Sequence, residues 1–207
     1  KLVWQYRDRW GASYASPVVV PLCGREVALV MAAGESKPTV GGLLVLDPRT
    51  GERLARVPWR ASKYESVLAM SPLVIGDRQV CISECYEKGG VLLEFDKNFG
   101  VTRKWENPDL RMHWMMPVVN DGLLFGFSGR NPPDTVFHCV DLQTGKTVWQ
   151  NDLRWQRGRH VEGLFRASLL RAGERFFALG EDGIFVELRL TRAGPEVIRK
   201  TRFFTAI

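Results

Sequence analysis

Residues 136–149 read VFHCVDLQTGKTVW. The first six alternate and are rich in β-formers, so they predict a strand. Asp141 and Thr144-Gly145 then carry a turn. An Asp side chain can bond its own backbone, and Gly takes φ > 0 without steric cost. Residues 146–150 predict a returning strand that ends on a large aromatic, Trp149.

The same pattern recurs. Residues 42–59 (GLLVLDPRTGERLARVPW) place Asp47, Thr50-Gly51 and Trp59 in that order. Residues 90–105 (GVLLEFDKNFGVTRKW) do so with Asp96, Gly100 and Trp105. Residues 184–198 are a worn copy, in which Gly194 keeps the turn, Leu190 replaces the Asp and Ile198 the Trp. Lys1-Leu2-Val3-Trp4 matches Lys146-Thr147-Val148-Trp149, so residues 1–9 read as the end of a preceding blade. Short apolar strands alternate with these hairpins at 13–20, 68–75, 113–120 and 165–171. Three carry Pro at one place, Pro17, Pro72 and Pro117, and the fourth has Leu169 there. Further strands follow at 27–32, 79–86, 123–128 and 175–179.

Four strands per repeat of about 40–50 residues is the signature of propeller blades. The expected fold is all-β: a β-propeller of four-stranded antiparallel blades, here about four. The blades are placed at residues 10–59, 60–105, 106–149 and 150–207, within a single part-propeller domain. Paired prolines in the stretch 128–134 (SGRNPPD) forbid continued sheet there.

The balance of 29 basic and 23 acidic residues gives a modest net charge of +6, and no apolar run is long enough for a membrane helix. Residues 154–160 (RWQRGRH) are the one basic cluster; a solvated loop between blades explains them, and nucleic acid is disfavoured as a partner. Cys81 and Cys85 are expected on one strand, some 13 Å apart, beyond disulfide reach. With Cys23 and Cys139 they read as buried free thiols, although the redox state stays open.

The motif D-x-x-T-G-x-x-x-W with following S-P-V-V strands resembles the repeat of the pyrroloquinoline-quinone enzyme superfamily. The outer-membrane barrel-assembly lipoprotein shares this repeat. The resemblance runs most strongly to the quinoprotein-like propellers of planctomycete type. It rests on Val57-Pro58-Trp59, Ser71-Pro72-Leu73-Val74, Leu110-Arg111-Met112-His113, residues 121–127 (DGLLFGF), Cys139-Val140-Asp141-Leu142 and Gly180-Glu181-Asp182-Gly183. It implies an eight-bladed ring, of which this chain is the C-terminal half, in a periplasmic or secreted protein. It also implies partners for the bare blade faces, either a missing N-terminal half or a second half-ring.

Quinoprotein dehydrogenases of this resemblance hold their quinone over a vicinal Cys-Cys pair, beside a calcium bound by Glu, Asn and Asp. No Cys-Cys pair is present here, and Glu84, Glu87, Asn98 and Asn131 show no calcium-loop spacing. Glu181 and Asp182 read as turn residues. No nucleophile motif or phosphate loop is present, and none of His113, His138 and His160 stands near a carboxylate pair. The expectation is therefore a binding or scaffold module without catalytic residues, metal or cofactor. Its partner would be a protein, peptide or glycan. The alternative is half of a pyrroloquinoline-quinone-dependent dehydrogenase that oxidises alcohols or polyvinyl alcohol.

Rotational symmetry places the binding surface. Positions three, four and six before the repeat's Pro crowd the mouth of the channel. Tyr14, Arg111, His113, Trp114 and Arg166 meet there by this count. Aromatic and Arg side chains suit an interface hot spot. The competing reading is that they plug the channel.

Overall fold

The computed structural model describes residues 1–131 and 134–204 and contains no helix among them. The all-β expectation holds. Four antiparallel meanders of four strands follow one another in chain order. Sheet 1 is β1 (Val18–Leu22), β2 (Arg25–Ala32), β3 (Gly42–Leu46) and β4 (Arg53–Pro58). Sheet 2 is β5 (Leu73–Ile75), β6 (Gln79–Glu84), β7 (Gly89–Phe95) and β8 (Val101–Asn107). Sheet 3 is β9 (Val118–Asn120), β10 (Leu123–Ser128), β11 (Val136–Asp141) and β12 (Thr147–Asn151). A two-stranded hairpin, β13 (Arg154–Arg157) and β14 (His160–Gly163), precedes sheet 4. Sheet 4 is β15 (Ser168–Ala172), β16 (Arg175–Leu179), β17 (Ile184–Thr191) and β18 (Gly194–Arg202). The paired prolines at 132 and 133 lie outside the described residues.

Two compact units divide the chain, Lys1–Trp114 and Met115–Ile207. In the first, every residue of β3 is buried. Leu43 and Val45 enter a core with Leu29, Val80, Val91 and Leu93, whereas Leu44 and Leu46 pack on the other face with Trp10 and Ala28. This two-sided alternation follows from the strand period of two, and it explains why GLLVL carries no polar residue. In the second unit, Phe125, Phe137 and Cys139 of sheet 3 join Phe176, Val186 and Leu188 of sheet 4. The rings of Phe125 and Phe176 meet edge-on at 5.6 Å.

The aspartate turns form as their residues dictate. Asp141 Oδ1 accepts from the amides of Gln143 and Thr144, and the Gly145 amide bonds Asp141 O at φ 72°. Asp47 repeats this with Arg49 and Thr50. Its partner Arg25, with those amides, holds its carboxyl at about 2. The turn at Asp96 differs: Phe99, not Gly100, takes the left-handed conformation, at φ 61°. A side chain on Gly100 would strike Asp96 Oδ2, so closeness to the carboxylate selects the glycine there.

Several boundaries depart from the sequence reading. The first strands begin at Val18, Leu73 and Val118, directly after Pro17, Pro72 and Pro117, and not five residues earlier. Proline has no N–H for the ladder and confines itself to a strand's start. Sheet 4 has Leu169 in that place, and its pairing begins one residue earlier, at Ser168. Residues 154–160 are not a plain loop but most of the β13–β14 hairpin, and Arg157 there pairs with Glu162 at 2.8 Å. Cys85 lies past the end of β6 in a turn where Glu87 N bonds Cys85 O. None of the four cysteines forms a disulfide; Cys81 and Cys139 are buried, Cys23 and Cys85 half-buried.

Each sheet carries a β-bulge at one register between its third and fourth strands. The extra residues are Leu54, Lys104, Val148 and Ile198. Ala55, Trp105, Trp149 and Arg199 follow them at equivalent positions. Trp59 is therefore not the counterpart of Trp149. It stands beyond β4, where its amide bonds Gly41 O. Ile198 likewise fills the bulge, and Arg199 holds the tryptophan's place. The bulge is common to all four sheets and shifts no copy against another: Ala55 follows Asp47 at the spacing by which Trp149 follows Asp141, and Trp59 lies four residues further on.

Indole N–H groups tie each sheet to the segment or sheet beside it within its unit. Trp4 donates to Pro48 O at 2.9 Å, Trp59 to Gly89 O at 3.3 Å and Trp149 to Thr191 O at 2.9 Å. Trp149→Phe keeps the ring against Phe125 and Phe137 but removes this donor. It is expected to lower stability by about 1 kcal/mol in denaturant unfolding. An unchanged midpoint would show the bond to be idle.

Candidate binding surface

In each meander the first strand starts, the second-to-third turn lies, and the fourth strand ends at one end of the sheet. The long connections gather at that end. In the first unit they are stitched by backbone bonds: Tyr14 N to Leu68 O at 3.1 Å and Leu68 N to Ala33 O at 3.2 Å. Ser71 Oγ donates to Ser16 O at 3.1 Å.

Sheet 2 supplies two further ties from adjacent residues of β6. Successive side chains on a strand point to opposite faces. Glu84 Oε2 accepts the Ala61 amide at 2.7 Å, holding the connection that enters the sheet. Ser83 Oγ donates to Leu110 O at 2.6 Å and accepts from Met112 N at 2.8 Å, holding the connection that leaves it. Glu84 is 1% exposed. Burial pushes its carboxyl up to about 7, against the lowering effects of the Ala61 amide and of Arg60 and Lys88.

The departing connection carries three of the predicted site residues. His113 is buried, stacks on the Trp114 ring at 4.0 Å and meets Tyr86 edge-on at 5.7 Å. Trp114 is 47% exposed. Arg111 is exposed, and with Lys63, which bonds Glu87 at 2.6 Å, it holds the Glu87 carboxyl below its usual range. Tyr14 is exposed and held through its backbone. Arg166 belongs to the second unit, where Glu181 accepts from its Nε at 2.9 Å and from Nη2. The structure thus brings His113 and Trp114 together, with Arg111 two residues away, and places Tyr14 on a separate connection. Tyr86, Lys63, Ser83 and Glu84 belong to this end and escaped the symmetry count. A carboxylate inside the apolar run QVCISE was the one visible signal for Glu84.

The model of the outer membrane protein assembly factor BamB family matches residues 1–151. The chain belongs to this family. No curated protein matches it significantly. Among solved structures, BamB from Moraxella catarrhalis superposes with a TM-score of 0.65 at 17% identity, over 98% of this chain and 55% of that one. The quinohemoprotein alcohol dehydrogenase of Comamonas testosteroni gives 0.54 at 14% identity, over 94% and 43%. A europium-containing methanol dehydrogenase gives 0.52 at 13%, over 86% and 40%. These likenesses establish the propeller fold of pyrroloquinoline-quinone-like repeats, as the sequence led one to expect. The chain spans about half the length of these relatives or less. BamB-family membership places the protein among propeller scaffolds.

No two cysteines are adjacent. Glu84 accepts from the Ala61 amide, Glu87 from Lys63, and the Asn131 side-chain oxygen from Arg166 at 3.5 Å.

Proposed function

We propose that this chain is a non-catalytic binding propeller that engages a partner protein through the connection end of its sheets, on the periplasmic or secreted side of the cell. The observation that carries this reading is Trp114. Its ring is half exposed yet fixed from behind by the buried His113, with Arg111 nearby. A rigid exposed aromatic beside an arginine is the composition of an interface hot spot. The dehydrogenase reading has the solved fold relatives in its favour but no matching ligand set in these residues.

The test is Arg111→Ala with Trp114→Ala. A photo-crosslinker at position 116 first identifies the physiological partner, and its affinity is then measured. The double variant should bind at least about tenfold more weakly, since hot-spot truncation costs about 2 kcal/mol or more. It should melt like the parent protein. Unchanged affinity overturns the proposal, and loss of the fold returns these residues to the role of a plug. Arg166→Ala, measured separately, tests whether the second unit shares in the surface.

Pyrroloquinoline quinone titrated with calcium should leave the visible spectrum that of free quinone. Stoichiometric uptake followed by dye-linked alcohol oxidation would favour the dehydrogenase instead.

A further inference from the structure

A concavity in the first unit is lined by the last residues of β4, by Arg103 of β8 and by Lys88 in the turn between β6 and β7. Its volume is ≈ 400 Å³, within the range of ligand sites. Trp10 and Trp59 form its apolar part, and Arg56, Arg60, Lys88 and Arg103 its charged part. No carboxylate lines it.

The cations are held in place rather than free to sweep. Arg56 lies 3.7 Å from the Trp10 ring centroid, and its fork bonds Asp8 at 3.2 and 3.3 Å. The Lys88 ammonium sits 4.3 Å from the Trp59 ring, and Arg103 5.6 Å from the same ring. Arg103 also pairs with Glu106 at 2.8 Å. Two of the four positive charges are thus matched by carboxylates outside the groove. Lys88 has no ion pair among the described residues. Arg60 gives Nη2 to Tyr64 O at 3.2 Å, while Nε and Nη1 have no protein acceptor. The buried Glu84 carboxyl lies near Arg60 and Lys88, but burial holds it up at about 7 and it bonds neither of them, so it offsets their charge only in part and the groove keeps a demand for negative charge.

The geometry points to a binding groove for the carboxylates of an acidic peptide segment, separate from the Trp114 surface. The cations cover the indole faces, so a sugar ring has no platform on which to stack. A bilayer is flat and does not enter a cleft. Two partly offset charges in a short concavity are too few to track a nucleic-acid backbone. A carboxylate side chain on an extended peptide reaches in and meets both Lys and Arg donors.

The experiment measures anisotropy of a labelled six-residue glutamate peptide on the whole chain, at low and at physiological ionic strength. The double variant Lys88→Glu, Arg103→Glu should weaken binding about tenfold or more. The single variant Lys88→Gln, which leaves Trp59 and Arg103 in place, should weaken it severalfold even if the double variant folds poorly. Arg49→Glu with Lys97→Glu changes net charge equally, on exposed turns at the other end of the sheets, and should have little effect. Arg111→Ala with Trp114→Ala should leave peptide binding intact, which separates this site from the surface proposed above. Equal losses in the groove and turn variants would mean general charge attraction and overturn the proposal. So would tighter binding of phosphatidylglycerol vesicles or of an oligonucleotide than of the peptide, or parent-like binding by both groove variants.

Discussion

Trp59→Ala should lower the unfolding free energy by about 3–5 kcal/mol, the range for emptying a buried aromatic site. Trp59 is 1% exposed and belongs to the core shared by sheets 1 and 2. Removing it deletes that packing and leaves Gly89 O without the indole donor. Lys88 and Arg103 also lose the ring over which they sit. Trp59→Phe should recover most of the loss, because the ring returns and only the N–H is missing. Trp114→Ala, at a half-exposed position, should cost less than about 1 kcal/mol and serves as the comparison. Denaturant midpoints at constant m-value decide the matter. A loss below about 1 kcal/mol for Trp59→Ala would show that the joint between the two sheets does not depend on it.

Stability should fall as pH rises from about 5 to about 8, and Glu84 is the cause. Its carboxyl sits at about 7 in the folded chain against an ordinary 4.5, because burial disfavours the charged form. The folded state therefore binds more protons than the unfolded state across that window, and the free energy of unfolding declines with pH. The full effect is about 3 kcal/mol, complete once pH passes the folded value. Glu87, Asp141 and Glu162 are held low by their basic partners and act in the opposite sense, at acid pH. The stability profile should peak near pH 5. Glu84→Gln keeps an oxygen for the Ala61 amide and should flatten the upper limb, with a gain of about 2 kcal/mol at pH 8. A parent protein equally stable at pH 5 and pH 8 would refute this account.

The repeat was legible because turn chemistry is local. Asp141 and Gly145 fix their hairpin within five residues, and Asp47 and Gly51 do the same. The joints between sheets were less legible because they are not local. Ala55 holds the repeat position of Trp149, and matching by residue type instead of spacing leads to Trp59, four residues further on. Pro17, Pro72 and Pro117 were rightly seen as equivalent. Their missing N–H makes them the threshold of a strand, and the residues before them approach the sheet without joining it. At the surface, the count from those prolines found His113 and Trp114. It could not find Tyr86, which sits in a turn of its own length, nor the pairing of Arg166 with Glu181. The groove of the first unit draws its cations from different places in successive repeats, so no periodic count would assemble it.

These three indole bonds run in one direction. Trp4, Trp59 and Trp149 each donate to a residue later in the chain, 44, 30 and 42 positions on. On a ribosome, every donor is therefore finished before its acceptor exists. At about 5–20 residues per second, an indole N–H waits roughly 2–9 s in water for its partner to emerge. During that interval the newest sheet is always the one without its clasp. Nascent chains halted with residue 59 outside the ribosome but residue 89 still inside should expose that tryptophan to quencher, and chains halted with both outside should shield it.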